Sequence, residues 1–498
     1  MSEAAIVGTG PNGLAAAVTL ARAGLRVTLF EMADTIGGGL RTESLFDSEV
    51  EHDICSAVHP MAAASPYFRR FDLPARGVRL LQPEIPYAHP LPGGRGVAAW
   101  RSLARTAAHL GADGVRWTRL MGPLVTRSAG VVDLLLSDLR TPPSDPIAPL
   151  LLGPRVLAHA GPRSPFVTQE AKALLTGVAA HAVGRLPTLA SAAVALLLGH
   201  TAHSTGWPLP EGGSARIAEA LAADITAHGG TFHTGHRIRD LAELDRFPLV
   251  MLDTGAKEFL ALAGERLPAR YRRSLERFRP GPGAAKADFL VSGPLWRDPL
   301  MGRAGTVHLG GTHDAIVRQE NAVVAGDRGT VPFTLVVDPA VTDPSRAIRG
   351  KRPVWAYAHV PHGDVRDPVP MIREHIEQYA PGFGDTVIAA RGRPAAAYET
   401  YNPNYVGGDI AAGAMTLRQS LLRPTARWDP YSTPLPGVYL CSAATPPGPS
   451  VHGMCGHLAA RSALRRQYDV HDCPDLAPRG REPHGTGNPR STAERNTT

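Results

Sequence analysis

AAIVGTGPNGLAAAVTLARAGLRVTLFE, residues 4–31, decides how this chain is read. Residues 4–7 are a short apolar run of the kind that forms a buried parallel strand. Gly8, Gly10 and Gly13 then fit G-x-G-x-x-G, with Pro11 and Asn12 inside the turn. The first glycine allows the tight turn, the second lets backbone approach a pyrophosphate, and the third lets the helix pack on the strand. Residues 14–23 are rich in Ala and Leu and stop at Gly24, a natural helix terminator. The start of that helix aims free N–H groups and a positive dipole end at phosphates. Residues 26–30 form the next strand, and Glu31 ends it, 18 residues past Gly13. An acid there accepts hydrogen bonds from ribose hydroxyls. Strand, turn, helix and acid all stand at the spacing of a dinucleotide-binding unit.

The 498 residues exceed what one compact core holds, which predicts two intertwined domains. Hydrophobic residues make up 43% and charged residues 19%, a globular balance. The net charge is +7, part of it in the tail at Arg479, Arg481, Arg490 and Arg495. No basic cluster interleaves with aromatics, which argues against nucleic acid as a partner. A basic surface suits peripheral contact with anionic lipid. The four cysteines form no C-x-x-C pair or zinc-ligand spacing, so no metal site is expected. The start lacks a signal-peptide pattern, and no apolar run approaches about 18 residues. A cytoplasmic location is expected, with membrane association as its variant.

MADTIGGGLRT follows Glu31 directly. Gly38 and Gly39 let a second backbone segment approach a ligand, Arg41 can pair with a phosphate, and Thr42 offers a hydroxyl. Near the other end, residues 433–464 read as a strand, a small-residue loop and a helix. This makes a corner suited to an anion or dipole, with Ser442, Ala443, Val451, His452 and Gly453 as its candidate contacts.

The glycine-rich segment resembles the second glycine motif of the flavoproteins that include amine oxidases and phytoene desaturases. The chain as a whole resembles the phytoene desaturase-like branch, with its carotenoid desaturases and isomerases, and within it an actinobacterial-type group of FAD-dependent oxidoreductases. GTGPNGLAAAV, TIGGGLRT, CSAVHP, GWPLPEGGSARIAEAL, AGTVHLGGTHDAI, NPNYVGGDIAAG and VYLCSAATPP with VHGMCG carry the resemblance over about residues 3–465. It implies FAD as the cofactor. It also implies that the backbone at Ile238 pins the adenine, that Asp253 ends a strand of the FAD domain, and that the C-terminal corner meets the ribityl chain and the flavin pyrimidine edge. One departure stands out: relatives often read PPGGGVHG, and this chain reads PPGPSVHG, with Pro449 and Ser450 in a loop usually made of glycine.

The expected fold class is α/β: a Rossmann-like FAD-binding domain from residues 1–75, 206–280 and 426–469. An interleaved α+β substrate domain, 76–205 and 281–425, supplies a mixed sheet and a helical lid, and 470–498 form a disordered tail. Helical runs are expected at 103–110, 120–139, 172–184 and 188–200. No second G-x-G-x-x-G unit has its strand and helix, so no separate NAD(P)H domain is expected. FAD takes a hydride at N5, and histidine is the natural base near neutral pH. His59, His203 and His452 are the candidate catalytic residues. His200 and Trp207 are candidate cavity walls. Tyr398, Tyr401 and Tyr405 read as aromatic packing in the substrate sheet. The implied activity is phytoene dehydrogenase-like oxidation or desaturation of a hydrophobic or conjugated small molecule, with O2 or a quinone as electron acceptor. The alternatives are a redox-neutral alkene isomerase and a non-catalytic flavin-binding protein.

Overall fold

A computed structural model describes residues 2–478 apart from Ser48, Leu139 and Thr330. Glu3–Val7 forms the central strand of a five-stranded parallel sheet, in the spatial order Val438–Leu440, Leu249–Leu252, Glu3–Val7, Arg26–Phe30, Thr231–His233. Numbered along the chain this is 5-4-1-2-3, so the order reverses between Glu3–Val7 and Leu249–Leu252. Ligands of such sheets bind outside the strand ends at that reversal. Gly8 and Asp253 stand there.

The helix Pro11–Arg22 begins with Pro11 at its first position, where a missing N–H costs nothing. Its Leu14 to Ala21 side chains are buried, and the helix packs on the C-terminal helix Met454–Tyr468. The two approach so closely that a Cβ on Gly456 would stand 1.8 Å from the Asn12 carbonyl oxygen. Small residues on both faces, Ala15 and Ala16 against Ala459 and Ala460, complete this contact.

A second, seven-stranded sheet draws on other parts of the chain. Its order is Val387–Arg393, Gly283–Val291, Arg352–Val360, Thr334–Val337, Ala304–Leu309, Ile85–Leu91, Arg95–Ala99. Ala304–Leu309 pairs in parallel with Ile85–Leu91, and the other pairs are antiparallel, so the sheet is mixed as expected. Helices cover one end of it. The run expected at 120–139 is two helices, Gly114–Thr126 and Ser128–Leu135, broken where Arg127 leaves helical geometry. The helix Ala148–His159 was not expected from sequence, because Pro149 and Pro154 mask it; Pro149 falls in the first turn, where proline is tolerated, and Pro154 lies inside.

Part of the expected tail is pinned to the first domain. Leu476 is buried in the main core, and Arg22 and Arg76 donate to the carbonyls of Ala477 and Leu476 at 2.9 and 3.0 Å. The remainder of that expectation, residues 479–498, lies outside the described residues.

The helix contact yields a direct test. Gly456→Ala must push the C-terminal helix off Pro11–Arg22, an overpacking cost of about 2–3 kcal/mol. Thermal denaturation should show a lower Tm, whereas Ala→Gly at the exposed Ala158 should change it little.

Candidate dinucleotide and substrate site

One cavity of about 1110 Å3 runs from the glycine turn into the second domain. At its first end stand Gly8, Gly10, Pro11, Asn12, Glu31, Gly38, Gly39, Arg41, Ile238 and Asp253. Ser442, Ala443 and Val451 line it farther in, beside Ala57, Val58 and His59. The sequence-expected contacts thus converge on one space from three distant stretches.

Glu31 is held rigidly. Its carboxylate accepts from the Thr9 N–H at 3.0 Å, the Thr9 hydroxyl, the Ala33 N–H at 3.0 Å and the Arg41 guanidinium at 3.2 Å. Arg41 also lies 5.3 Å from the Tyr401 ring centre, and Tyr401 donates to the Gly38 carbonyl at 2.7 Å. Tyr398, Tyr401 and Tyr405 line the cavity from a short helix and loop; they do not sit in the substrate sheet as the sequence suggested. Asp253 reaches beneath the glycine turn and accepts the Gly13 N–H at 3.0 Å, capping the helix Pro11–Arg22 from another strand. Burial, and secondarily the Glu31 charge, pushes its carboxyl up to about 7.

Six sequence candidates face elsewhere. Gly13 and Gly453 are backbone positions behind the wall. Thr42 donates to Asp53 at 2.9 Å and accepts the Ala215 N–H at 3.1 Å, so its hydroxyl knits two chain segments together. His452 is fully buried; its Nδ1 accepts the Met454 N–H at 3.0 Å and its Nε2 donates to the Gly448 carbonyl at 3.1 Å. Both ring nitrogens are spent on holding the loop, which removes His452 as an acid or base. His203 is corrected in the same way: Nε2 accepts from the Trp117 indole at 3.1 Å and Nδ1 donates to the Trp100 carbonyl at 2.8 Å. It is a core histidine, and His200, bonded to the Leu196 carbonyl and Ser128, is another.

His59 differs. It lines the cavity, and its Nε2 lies 2.8 Å from the Ser214 hydroxyl. Ser214 gives its one proton to the Ser56 carbonyl at 2.7 Å, so His59 Nε2 must be the donor. Nδ1 therefore carries a lone pair, and it has no partner. Burial holds the imidazole down at about 4, so it is neutral at pH 7.

Sequence reasoning missed His181. It lines the cavity beside Trp207, and its Nε2 lies 2.9 Å from Nε2 of the fully buried His308. No local motif announces it, since His181 and His308 meet only through the packing of a helix end on the sheet. Cys55 also lines the cavity, but burial pushes its thiol up, away from the reactive thiolate.

Charged groups gather at the glycine-turn end: Glu31, Arg41, Arg237, Asp253 and Glu258. The far end is walled by Leu134, Leu152, Val156, Leu189, Val194 and Leu197, with Leu421 at its rim. The residues present fit FAD. The glycine backbone and the partnerless Asn12 Oδ1 suit a pyrophosphate and ribose end, and the apolar walls beyond suit a flat ring. Among the described residues no cluster suited to a metal ion occurs.

Comparison with known proteins agrees with this geometry. The family described as NAD(P)-binding Rossmann-like domain matches residues 6–71. Pyridine nucleotide-disulfide oxidoreductase domain-containing protein 2 of Mus musculus is 37% identical over 91 residues, which are 18% of this chain and 16% of that protein. The matched stretch is thus a small part of that relative's length. Over almost the whole chain the fold is shared with solved structures. An oxidoreductase from Methanosarcina mazei has a TM-score of 0.59 at 16% identity, covering 93% of this chain and all of that one. Cyclohexylamine oxidase from Brevibacterium oxydans has a TM-score of 0.56 at 13% identity, covering 94% and 99%.

The Asp253 geometry carries a pH test. A carboxyl whose folded value is raised above its unfolded 3.8 binds more protons folded than unfolded. Its stabilising contribution is complete below about pH 4 and is lost as pH rises toward 7. Urea denaturation of the cofactor-free protein should show that Asp253→Asn removes this decline, so that mutant and wild type converge at low pH.

Residues 6–71 carry a Rossmann-like dinucleotide-binding unit, and over more than nine-tenths of its length the chain shares its fold with the Methanosarcina mazei oxidoreductase and with cyclohexylamine oxidase.

Proposed function

We propose that this chain is an FAD-dependent oxidoreductase that oxidises or desaturates an apolar or conjugated small molecule, as phytoene dehydrogenase-like enzymes do. The continuous cavity carries this reading: its charged end suits the ADP part of FAD, and its far end is walled mainly by Leu and Val side chains, with Ser137, Asp138 and Thr141 beside them. FAD supplies the acceptor for a hydride. The substrate loses a hydride and a proton, and we assign the proton to His59, a cavity-lining histidine whose Nδ1 has no partner in the protein. The apolar walls exclude water and orient the substrate by shape. O2 or a quinone then reoxidises the cofactor.

The cavity opens between the helices Ala148–His159, Leu189–Ala202 and Leu417–Leu422, where Leu157, Leu417 and Leu421 both line it and stand exposed. Residues 146–169 and 410–428, which bound this mouth, contain no acidic residue and carry Arg155, Arg163, Arg418 and Arg427. Such a rim suits peripheral contact with an anionic membrane that delivers an apolar substrate. Phosphatidylglycerol vesicles should co-sediment the protein, phosphatidylcholine vesicles should do so far less, and the double change Leu157→Glu with Leu421→Glu should abolish it.

The central test is anaerobic mixing of the purified yellow protein with polyene, amine and alcohol candidates. Bleaching of the oxidised-flavin band, near about 450 nm, by an organic substrate and recolouring in air is the expected result. His59→Gln should keep the bond to Ser214 and slow that bleaching about 100-fold. A protein that purifies colourless and takes up no FAD overturns the reading.

A further inference from the structure

The loop Ser442–Val451, which carries the Pro449–Ser450 departure, is held entirely from behind. Ala443, Pro446, Pro447, Pro449 and Val451 line the cavity. Their side of the loop faces the ligand space, while its carbonyl oxygens are captured on the other side. Arg423 donates to the Ala443 carbonyl at 2.9 Å, the Cys455 thiol to Thr445 at 3.4 Å, the Tyr431 hydroxyl to Pro446 at 3.2 Å and His452 to Gly448 at 3.1 Å. Carbonyl dipoles drawn away from the cavity leave their positive ends toward it.

Arg423 stands out among these donors. It is 1% exposed, and its guanidinium has no carboxylate at ion-pair distance among the described residues. It meets two carbonyls, those of Ala443 and Gly413, and its Nε has no partner. The nearby Asp409 spends its carboxylate on the N–H groups of Gly281, Ala411 and Gly413, at 2.7, 2.8 and 2.7 Å. The loop presses directly on the cation: Gly448, at φ +113, would place a Cβ 2.5 Å from Arg423 Nη1. A buried cation whose nearest carboxylate is engaged elsewhere is costly unless a further negative charge arrives near it. The cavity face of this loop is where such a charge would come.

We propose that Arg423 is a positioning residue with an electrostatic role: its fixed charge, one loop-thickness behind the cavity wall, raises the reduction potential of bound FAD. The proposal rests on the FAD reading above and on the flavin ring lying against this loop. Two-electron, one-proton reduction leaves the ring with one more negative charge. A cation behind a dry, low-dielectric wall favours the charged product. The rigid Pro-Pro-Gly-Pro sequence keeps water and motion from weakening that effect.

The test is the midpoint potential of the FAD-loaded protein, measured against a reference dye during photoreduction near neutral pH. Arg423→Met should disfavour reduction about tenfold, a fall of about 30 mV for a two-electron couple. Arg423→Lys should stay near wild type, because it keeps the charge and loses the fork of hydrogen bonds. Asp409→Asn, which removes the opposing charge while leaving Arg423 in place, should raise the potential; this variant decides the matter if Arg423→Met does not fold. Ala443→Leu tests ring placement separately, since it should shift the visible spectrum of a flavin lying on the loop. A spectral shift in Ala443→Leu with unchanged potentials in Arg423→Met and Asp409→Asn overturns the role of Arg423 alone. No shift in any of the variants overturns the ring placement together with it.

Discussion

The hydrogen bond from the Gly13 N–H to the Asp253 carboxylate joins residues 240 positions apart, and the site is assembled around it. It fixes the first turn of the helix Pro11–Arg22 to the end of the neighbouring strand at the point where the strand order reverses. The chain runs from this helix to Glu31 and the second glycine segment, and the Asn404 side chain bonds the backbone at Asp253 and Gly255 from a distant stretch. The segment that carries Asn404 is thereby tied to the end of the parallel sheet at the cavity itself. A shift of that carboxyl moves both walls together.

Polar groups around the cavity divide sharply by what they are bonded to. Glu31, Thr42, His203 and His452 have their hydrogen-bonding capacity filled by the protein; Glu31 stands in the wall and the other three lie behind it. Asn12 and His59 each keep a buried polar atom without a partner, and His181 lines the cavity with a half-buried ring. The C-terminal loop takes this division furthest, with its carbonyls bound from behind and its proline-rich face turned to the cavity.

The first 42 residues could be read well because the chemistry there is local. A tight turn, a helix start and an acid at fixed spacing constrain one another within a single βαβ unit, so Gly8, Gly10, Glu31, Gly38 and Arg41 all fall on the cavity. Histidines carry no such local constraint. His59, His203 and His452 looked alike in sequence, and burial among different partners separates them: two ring nitrogens engaged in the latter pair, one in His59. The helix Ala148–His159 was hidden by its prolines, yet it forms part of the mouth.

What the sequence determined by itself was the strand, glycine turn and helix of the dinucleotide unit, and the small-residue corner near the other end. Backbone geometry and hydrogen bonding over a few residues suffice for both. Only the tertiary structure decided that His181 reaches the cavity through His308, that Thr42 turns away from it, and that Arg423 lies buried behind the loop. Those outcomes depend on which distant elements pack together, because burial and the partner supplied by another element set whether a polar side chain is free, spent or charged.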